Sequence, residues 1–338
     1  MHPALFFKTL DPKSKLTQCL LCKHHCMIAQ GKRGLCKTRE NHDGTLYTLT
    51  YGKIYSENID PVEKKPLFHL LPGSLSYSIC TVGCNFRCKH CQNFDISQYP
   101  HLQPGPFPGN NRLPEDIVED AIRSGCQSIS YTYVEPTIFY EFALDTAKLA
   151  HKAGIKNIFV SNGYTGEEAT REIAPYLTAN NIDLKAFTDK FYKEVCGARL
   201  QPVLDTIKLM HELGVWLEIT TLVIPGWNDS EEELRDIARF IKSISREIPW
   251  HVTRFWPMYK MTDREPTPHH TLRRAREIGF EEGLYYIYIG NIPGDDGENT
   301  ICPGCGRTII KRTGFTVQEN NLQAGRCRFC QTPIAGIF

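Results

Sequence analysis

Eleven of the fourteen cysteines in this chain fall into three tight groups. The first is Cys19, Cys22, Cys26 and Cys36; the second is Cys84, Cys88 and Cys91; the third is Cys302, Cys305, Cys327 and Cys330. Cys80, Cys126 and Cys196 stand apart. Ligands of one ion or cluster must meet within a few ångströms, so tight grouping favours metal where even spreading would suit disulfides. Disulfide-dense designs belong to small domains with little core, and 338 residues are enough to bury a sizeable one.

The groups also divide the chain. We expect an N-terminal Cys-rich metal-binding segment over 1–45, a connector over 46–73, a strand–helix core over 74–291 and a small C-terminal unit over 298–338. In the core, SLSYSI, QSISYTY, KNIFVS, NIDLKAF, WLEITTLVI and HVTRFWP read as strands, with LYYIYIG as a seventh candidate. Helical patterns lie between them. PEDIVEDAIRSG opens on Pro and closes on Gly. Thr165 with Glu168 and Ser230 with Glu233 match capping boxes. Alternating strands and helices imply a parallel sheet with right-handed crossovers, and six or seven units imply a barrel or partial barrel. Such folds carry their chemistry on loops after the carboxyl ends of strands.

The second cysteine group occupies that kind of loop, in CTVGCNFRCKHCQNFDISQ after the first strand. The spacing Cys84-x3-Cys88-x2-Cys91 lets three thiolates wrap three corners of a four-iron cubane. With Cys80 back in the strand, no fourth ligand lies in the loop, and one iron would stay open to an exogenous ligand. The competing readings are a zinc site completed by His90, and unligated thiols. His90 directly precedes Cys91, so both would have to turn toward one ion.

The tail is more regular. Cys302-x2-Cys305 and Cys327-x2-Cys330 flank IIKRTGFTV, the pattern of a zinc ribbon with a hairpin between its knuckles. The head, Cys19-x2-Cys22-x3-Cys26 with Cys36 later and His24 and His25 nearby, suits zinc, a second iron–sulfur cluster or no metal. Cys126 and Cys196 read as ordinary buried thiols.

A net charge of +1 gives no global field for nucleic acid or an anionic membrane. No apolar run reaches the ~18 residues of a membrane span, and the first residues lack a signal-peptide pattern, so a cytoplasmic protein is expected. A metal-rich nucleic-acid-binding protein and a multi-cluster electron carrier are the alternative classes. The charge argues against the first, and an open iron against the second.

The central loop resembles the signature of radical S-adenosylmethionine (SAM) enzymes. The wider sequence resembles the radical SAM member of the AmmeMemoRadiSam system, akin to pyruvate formate-lyase activating enzymes. The matching stretches include CLLCKHHC, GKRGLCKTREN, GCNFRCKHCQNFDISQ, SYTYVEPTIFYEF, FVSNGY, NIDLKAF, LVIPGWND, PWHVTRFWPMYKM, YYIYIGNIPG and ENTICPGCG. His90 departs from the aromatic residue usual in the superfamily, and Phe94 from an expected Trp.

The resemblance implies a partial (β/α)6 TIM-like barrel, a [4Fe–4S] cluster on Cys84, Cys88 and Cys91, and oxidoreductase chemistry. SAM would be cleaved reductively to a 5′-deoxyadenosyl radical that abstracts hydrogen from an unidentified substrate, a glycyl radical protein being one alternative. It implies contact of Glu135 with the SAM amino group. Ser161 and Asn162 would meet the ribose or methionyl part, and Gly226 the adenine side. Asp183 is implied in cation binding, Lys185 in carboxylate binding or substrate chemistry, and His251 near the active site. It also implies an electron donor such as flavodoxin or ferredoxin, and makes a Memo-like protein a candidate partner. Structural readings stand beside these: a helix-start carboxylate for Glu135, an Asn-Gly turn at 162–163, an Asp183–Lys185 salt bridge and a satisfied core histidine at 251.

Overall fold

The computed structural model describes residues 1–103, 105–292 and 294–338. Its centre is a sheet of eight strands. Seven run parallel in chain order: β1 (Leu75–Cys80), β2 (Ser128–Tyr131), β3 (Lys156–Ser161), β4 (Ala179–Asp183), β5 (Trp216–Val223), β6 (Trp250–Arg254) and β7 (Ile287–Gly290). The strands carry buried side chains on both faces, as β2 does along its whole length, because helices or chain cover each side. The sheet does not close, so the barrel is partial.

LYYIYIG, the seventh candidate, supplies the last parallel strand. Within the connector, Ser56–Pro61 pairs antiparallel with β1, from Ser56 opposite Cys80 to Pro61 opposite Leu75, and forms one edge of the sheet.

The crossover helices are α1 (Pro114–Arg123), α2 (Tyr140–Lys152), α3 (Glu167–Ile173), α4 (Gln201–Glu212), α5 (Glu231–Ile244) and α6 (His269–Glu281), with shorter turns between. α1 has Pro114 in its first turn, and Asp116 accepts a hydrogen bond from Leu113 N at 2.8 Å. α5 buries Leu234, Ile237, Ala238, Phe240 and Ile241. Burying each large apolar side chain there contributes about 1.5–3 kcal/mol. Ser230 caps α5 by accepting from Glu233 N, but the Glu233 carboxylate accepts from Phe187 N at 2.7 Å instead of closing the box. At α3 the cap is Gly166, and Thr165 Oγ1 instead pairs with Thr137 Oγ1 at 2.7 Å.

The head is built from short antiparallel strands. Phe7–Asp11, Leu16–Cys19 and Met27–Ile28 form one small antiparallel sheet. His2–Pro3, Arg39–His42 and Thr45–Thr48 form another. The tail forms an antiparallel sheet of Thr300–Ile301, Thr308–Thr313 and Thr316–Asn320.

Residues 66–69 lock the connector, the barrel and the tail together. Glu218 on β5 accepts from Phe68 N and His69 N, at 3.0 and 2.8 Å. Arg312 of the tail donates to Phe68 O at 2.8 Å, and Ile337 N to His69 O. No helix among the described residues is long and apolar enough to cross a membrane.

Candidate active site

The loop after β1 is tied down along its length. Gly83 N donates to Ile96 O, Arg87 N to Cys196 O and Lys89 N to Val195 O. Gly83 has φ +111°, and a Cβ there would stand 2.7 Å from Thr38 Cγ2, so glycine lets the head approach the loop. Phe86 N donates to Cys84 Sγ at 3.3 Å, and Ser97 Oγ lies 3.2 Å from Cys91 Sγ.

The three sulfurs share one electrostatic environment. Burial, then the charges of Glu135, Cys88 and Cys91, push the Cys84 thiol well up. Burial, then Cys88, pushes up Cys91. The neighbouring Cys196 lowers the Cys88 pKa, while burial, then Cys88, pushes Cys196 well up. Cys80 stays buried in β1, its thiol pushed up to about 12 by burial. Three thiols that feel one another's charge, with N–H and O–H groups against two of them, fit a cluster held at three corners.

Glu135, Ser161 and Asn162 come together as expected, with a different division of labour. The Glu135 carboxylate accepts from Thr137 N and Oγ1, Ser161 Oγ, and Asn162 N at 2.7 Å. Its acceptor sites are filled by the chain, so its place is that of a clamp on the ends of β2 and β3. Burial raises its pKa, against those hydrogen bonds. Asn162 then reaches the loop, Nδ2 donating to Asn85 Oδ1 at 2.7 Å.

β4 ends at Asp183, so Lys185 lies beyond the strand rather than on its face. The pair still meets, Lys185 Nζ to Asp183 Oδ2 at 2.7 Å. Burial lowers the Lys185 pKa, but Asp183, then Cys88 and Cys196, more than reverse this and hold the ammonium well above its ordinary range. The lysine therefore stands charged beside the cysteine loop.

His251 and Gly226 both have their hydrogen-bonding groups taken within the chain. His251 Nε2 is bonded to Glu218 Oε2 at 2.7 Å, and its ring packs on Phe68 and Tyr288. It belongs to the packing of the connector and tail, a buried His satisfied by a carboxylate. Gly226 N is taken by Asp229 Oδ1 at 2.8 Å. Gly226 lines an open cavity of about 430 Å³ with Lys190, Phe191, Trp227 and Arg264. Sequence reasoning passed over that cavity, although Trp227 lay in a quoted motif. It also passed over Asn85 and the Cys196 contact, for which the sequence offers no spacing signal. Phe94 stacks on Tyr259 at 4.7 Å, so the position expected to hold Trp keeps an aromatic contact.

In the tail, the four sulfurs of Cys302, Cys305, Cys327 and Cys330 all lie within 4.8 Å of one another. Cys302 and Cys330 stand 3.6 Å apart, and Cys305 and Cys327 3.8 Å. Four thiolates bound at about 2.3 Å around one tetrahedral ion have this spacing.

A partial parallel barrel with a three-thiol loop at the carboxyl end of its first strand defines an iron–sulfur enzyme. Residues 78–241 match the Radical SAM superfamily. The chain is 47% identical to uncharacterized protein MJ0808 of Methanocaldococcus jannaschii over 333 residues, 98% of each. It is 27% identical to the pyruvate formate-lyase-activating enzyme of Clostridium pasteurianum over 181 residues, 50% of this chain and 72% of that one. The crystal structure of Streptococcus suis SuiB bound to S-adenosylmethionine shares the fold, with a TM-score of 0.52 and 17% identity, over 68% of this chain and 53% of that chain. The chain carries a Radical SAM domain over residues 78–241 and is homologous to the glycyl-radical activating enzymes. Reductive cleavage of SAM is the superfamily's general reaction, and its members act on a substrate and need a reductant.

Proposed function

We propose that Cys84, Cys88 and Cys91 hold the [4Fe–4S] cluster of this enzyme and that SAM binds at its open iron. The carrying observation is the loop itself: Cys84-x3-Cys88-x2-Cys91 on a backbone tied down along its length, with Phe86 N on Cys84, Ser97 Oγ on Cys91 and the Lys185–Asp183 pair beside it. When bound, cluster and SAM supply the one-electron cleavage that yields methionine and a 5′-deoxyadenosyl radical.

The chain's own part is placement. Lys185, oriented by Asp183, offers an ammonium to the SAM carboxylate. Asn162 keeps the end of β3 against the loop, and Glu135 fixes Asn162. The cavity at Trp227 receives the substrate; Lys190, Arg264 and Glu233 line it with charge of both signs and Trp227 gives it a flat apolar wall. The homology to activating enzymes supports a glycyl radical protein as one class of hydrogen donor. The electron comes from a flavodoxin- or ferredoxin-type protein, and a Memo-like protein is the partner to test by co-purification. The C-terminal four-thiol site holds zinc as a structural ion, because it joins strands that pack on the barrel.

The test is spectroscopic. The reduced cluster of the Cys84 loop should change its paramagnetic resonance when SAM is added, with hyperfine coupling to SAM labelled on its carboxylate and amino group. A cluster indifferent to SAM would refute the reading.

A further inference from the structure

The four N-terminal cysteines come from separate places and line one cavity. Cys19 closes the strand Leu16–Cys19, Cys22 and Cys26 lie on the turn that follows, and Cys36 precedes the strand Arg39–His42. The cavity between them is small, about 20 Å³, with apolar walls. These sulfurs do not form a set like the one in the tail: among the described residues, no three of them draw within 4.8 Å of one another. Thiolates of one zinc would stand about 3.8 Å apart, given Zn–S bonds of about 2.3 Å. Thiolates of a cubane bind separate irons and stand farther apart.

Donors point at these sulfurs. Thr38 Oγ1 donates to Cys36 Sγ at 3.2 Å, Leu35 N to Cys26 Sγ at 3.5 Å, and Arg39 Nη1 toward Cys19 Sγ at 3.7 Å. Arg39 is 2% exposed and pairs with Glu141, yet its Nε has no partner. A buried cation on the wall suits a negatively charged group in the cavity. His24 Nε2 is bonded to Asn85 O at 2.9 Å, which leaves Nδ1 as the one ring nitrogen it could offer a metal.

We propose that Cys19, Cys22, Cys26 and Cys36 bind an auxiliary [4Fe–4S] cluster that carries electrons to the Cys84 loop. Four protein ligands leave no iron open, which suits electron transfer and not SAM binding. Asn85 lines this cavity and follows Cys84 directly, so the two sites share a wall. In the step, the auxiliary cluster loses one electron and returns to its oxidised state, the cluster of the Cys84 loop gains that electron, and a low-potential one-electron protein reductant refills the first.

Full-length protein, reconstituted anaerobically with iron and sulfide, should hold about eight irons and one zinc per chain. The Cys84→Ala/Cys88→Ala/Cys91→Ala variant should keep about four irons, with a reduced resonance signal that SAM does not alter. The Cys22→Ser/Cys26→Ser variant should keep about four irons that respond to SAM, and should be reduced more slowly by a ferredoxin-type donor. Wild-type protein with about four irons and two zincs, the irons lost from the triple variant, would overturn the proposal. About four irons retained by the triple variant and lost from the N-terminal variant would refute the Cys84-loop assignment and leave this one standing.

Discussion

Asn162 fastens the end of β3 to the cysteine loop through Asn85: its Nδ2 donates to Asn85 Oδ1 at 2.7 Å and lies 3.8 Å from Cys84 Sγ. The residue just past a barrel strand is thus held against the cysteine loop. Asn162→Ala leaves Asn85 buried without that partner, at a cost of about 1–3 kcal/mol. Chelator should bleach the cluster of this variant severalfold faster than wild type, and a bleaching rate equal to wild type would mean that this contact does not steady the loop.

Lys185 should govern SAM and leave cluster assembly alone. Its ammonium is held charged by Asp183 and the nearby thiols. Lys185→Met should bind iron normally and bind SAM at least about tenfold more weakly, the loss expected for one charge-assisted hydrogen bond of about 1.5–3 kcal/mol. Equilibrium binding of SAM to the oxidised protein measures this, and unchanged affinity would place Lys185 with the substrate instead.

His69 makes the fold pH-sensitive. Burial pushes its pKa down to about 4, its Nδ1 faces Ala335 O and its Nε2 faces Tyr288 Oη. In the unfolded chain it takes a proton below about 6.5. Between those values the unfolded state binds the extra proton, so the contribution of His69 is full above about 6.5 and is lost as pH falls toward about 4. At pH 5 the loss is about 2 kcal/mol. Urea unfolding of wild type and His69→Gln at pH 5 and 7.5 should show a smaller pH difference in the variant; equal differences would mean that His69 does not titrate in this way.

The tail site should be structural. Its unit packs on the connector through Arg312, Ile309 and Ile334, away from the cysteine loop. Cys305→Ser/Cys330→Ser should lose one metal per chain and lower the thermal midpoint, while the cluster of the Cys84 loop still forms. Loss of that cluster together with the tail metal would contradict the assignment.

The cysteine spacings, the strand–helix alternation and the two capping signals at Pro114 and Ser230 were legible in the sequence, because each depends on residues close together in the chain. The edge strand Ser56–Pro61 was hidden, since its partner β1 lies beyond a turn that carries no hairpin signature. The His251–Glu218 pair depends on the offset between two parallel strands, which no single-strand pattern encodes. The sequence left the head open between zinc, a cluster and no metal, because that choice rests on distances between sulfurs from three segments. Gly226 was expected on the adenine side, and the capture of its N–H by Asp229 depends on a loop conformation that no spacing encodes.

Reductive cleavage of SAM is the reaction proposed for the Cys84 loop. Reconstituted enzyme, given SAM and a strong reductant without oxygen, should produce 5′-deoxyadenosine, and Cys88→Ser should produce none. A fully loaded wild-type cluster that binds SAM yet yields no more 5′-deoxyadenosine than Cys88→Ser, with substrate and electron donor supplied from a cell extract, would contradict it.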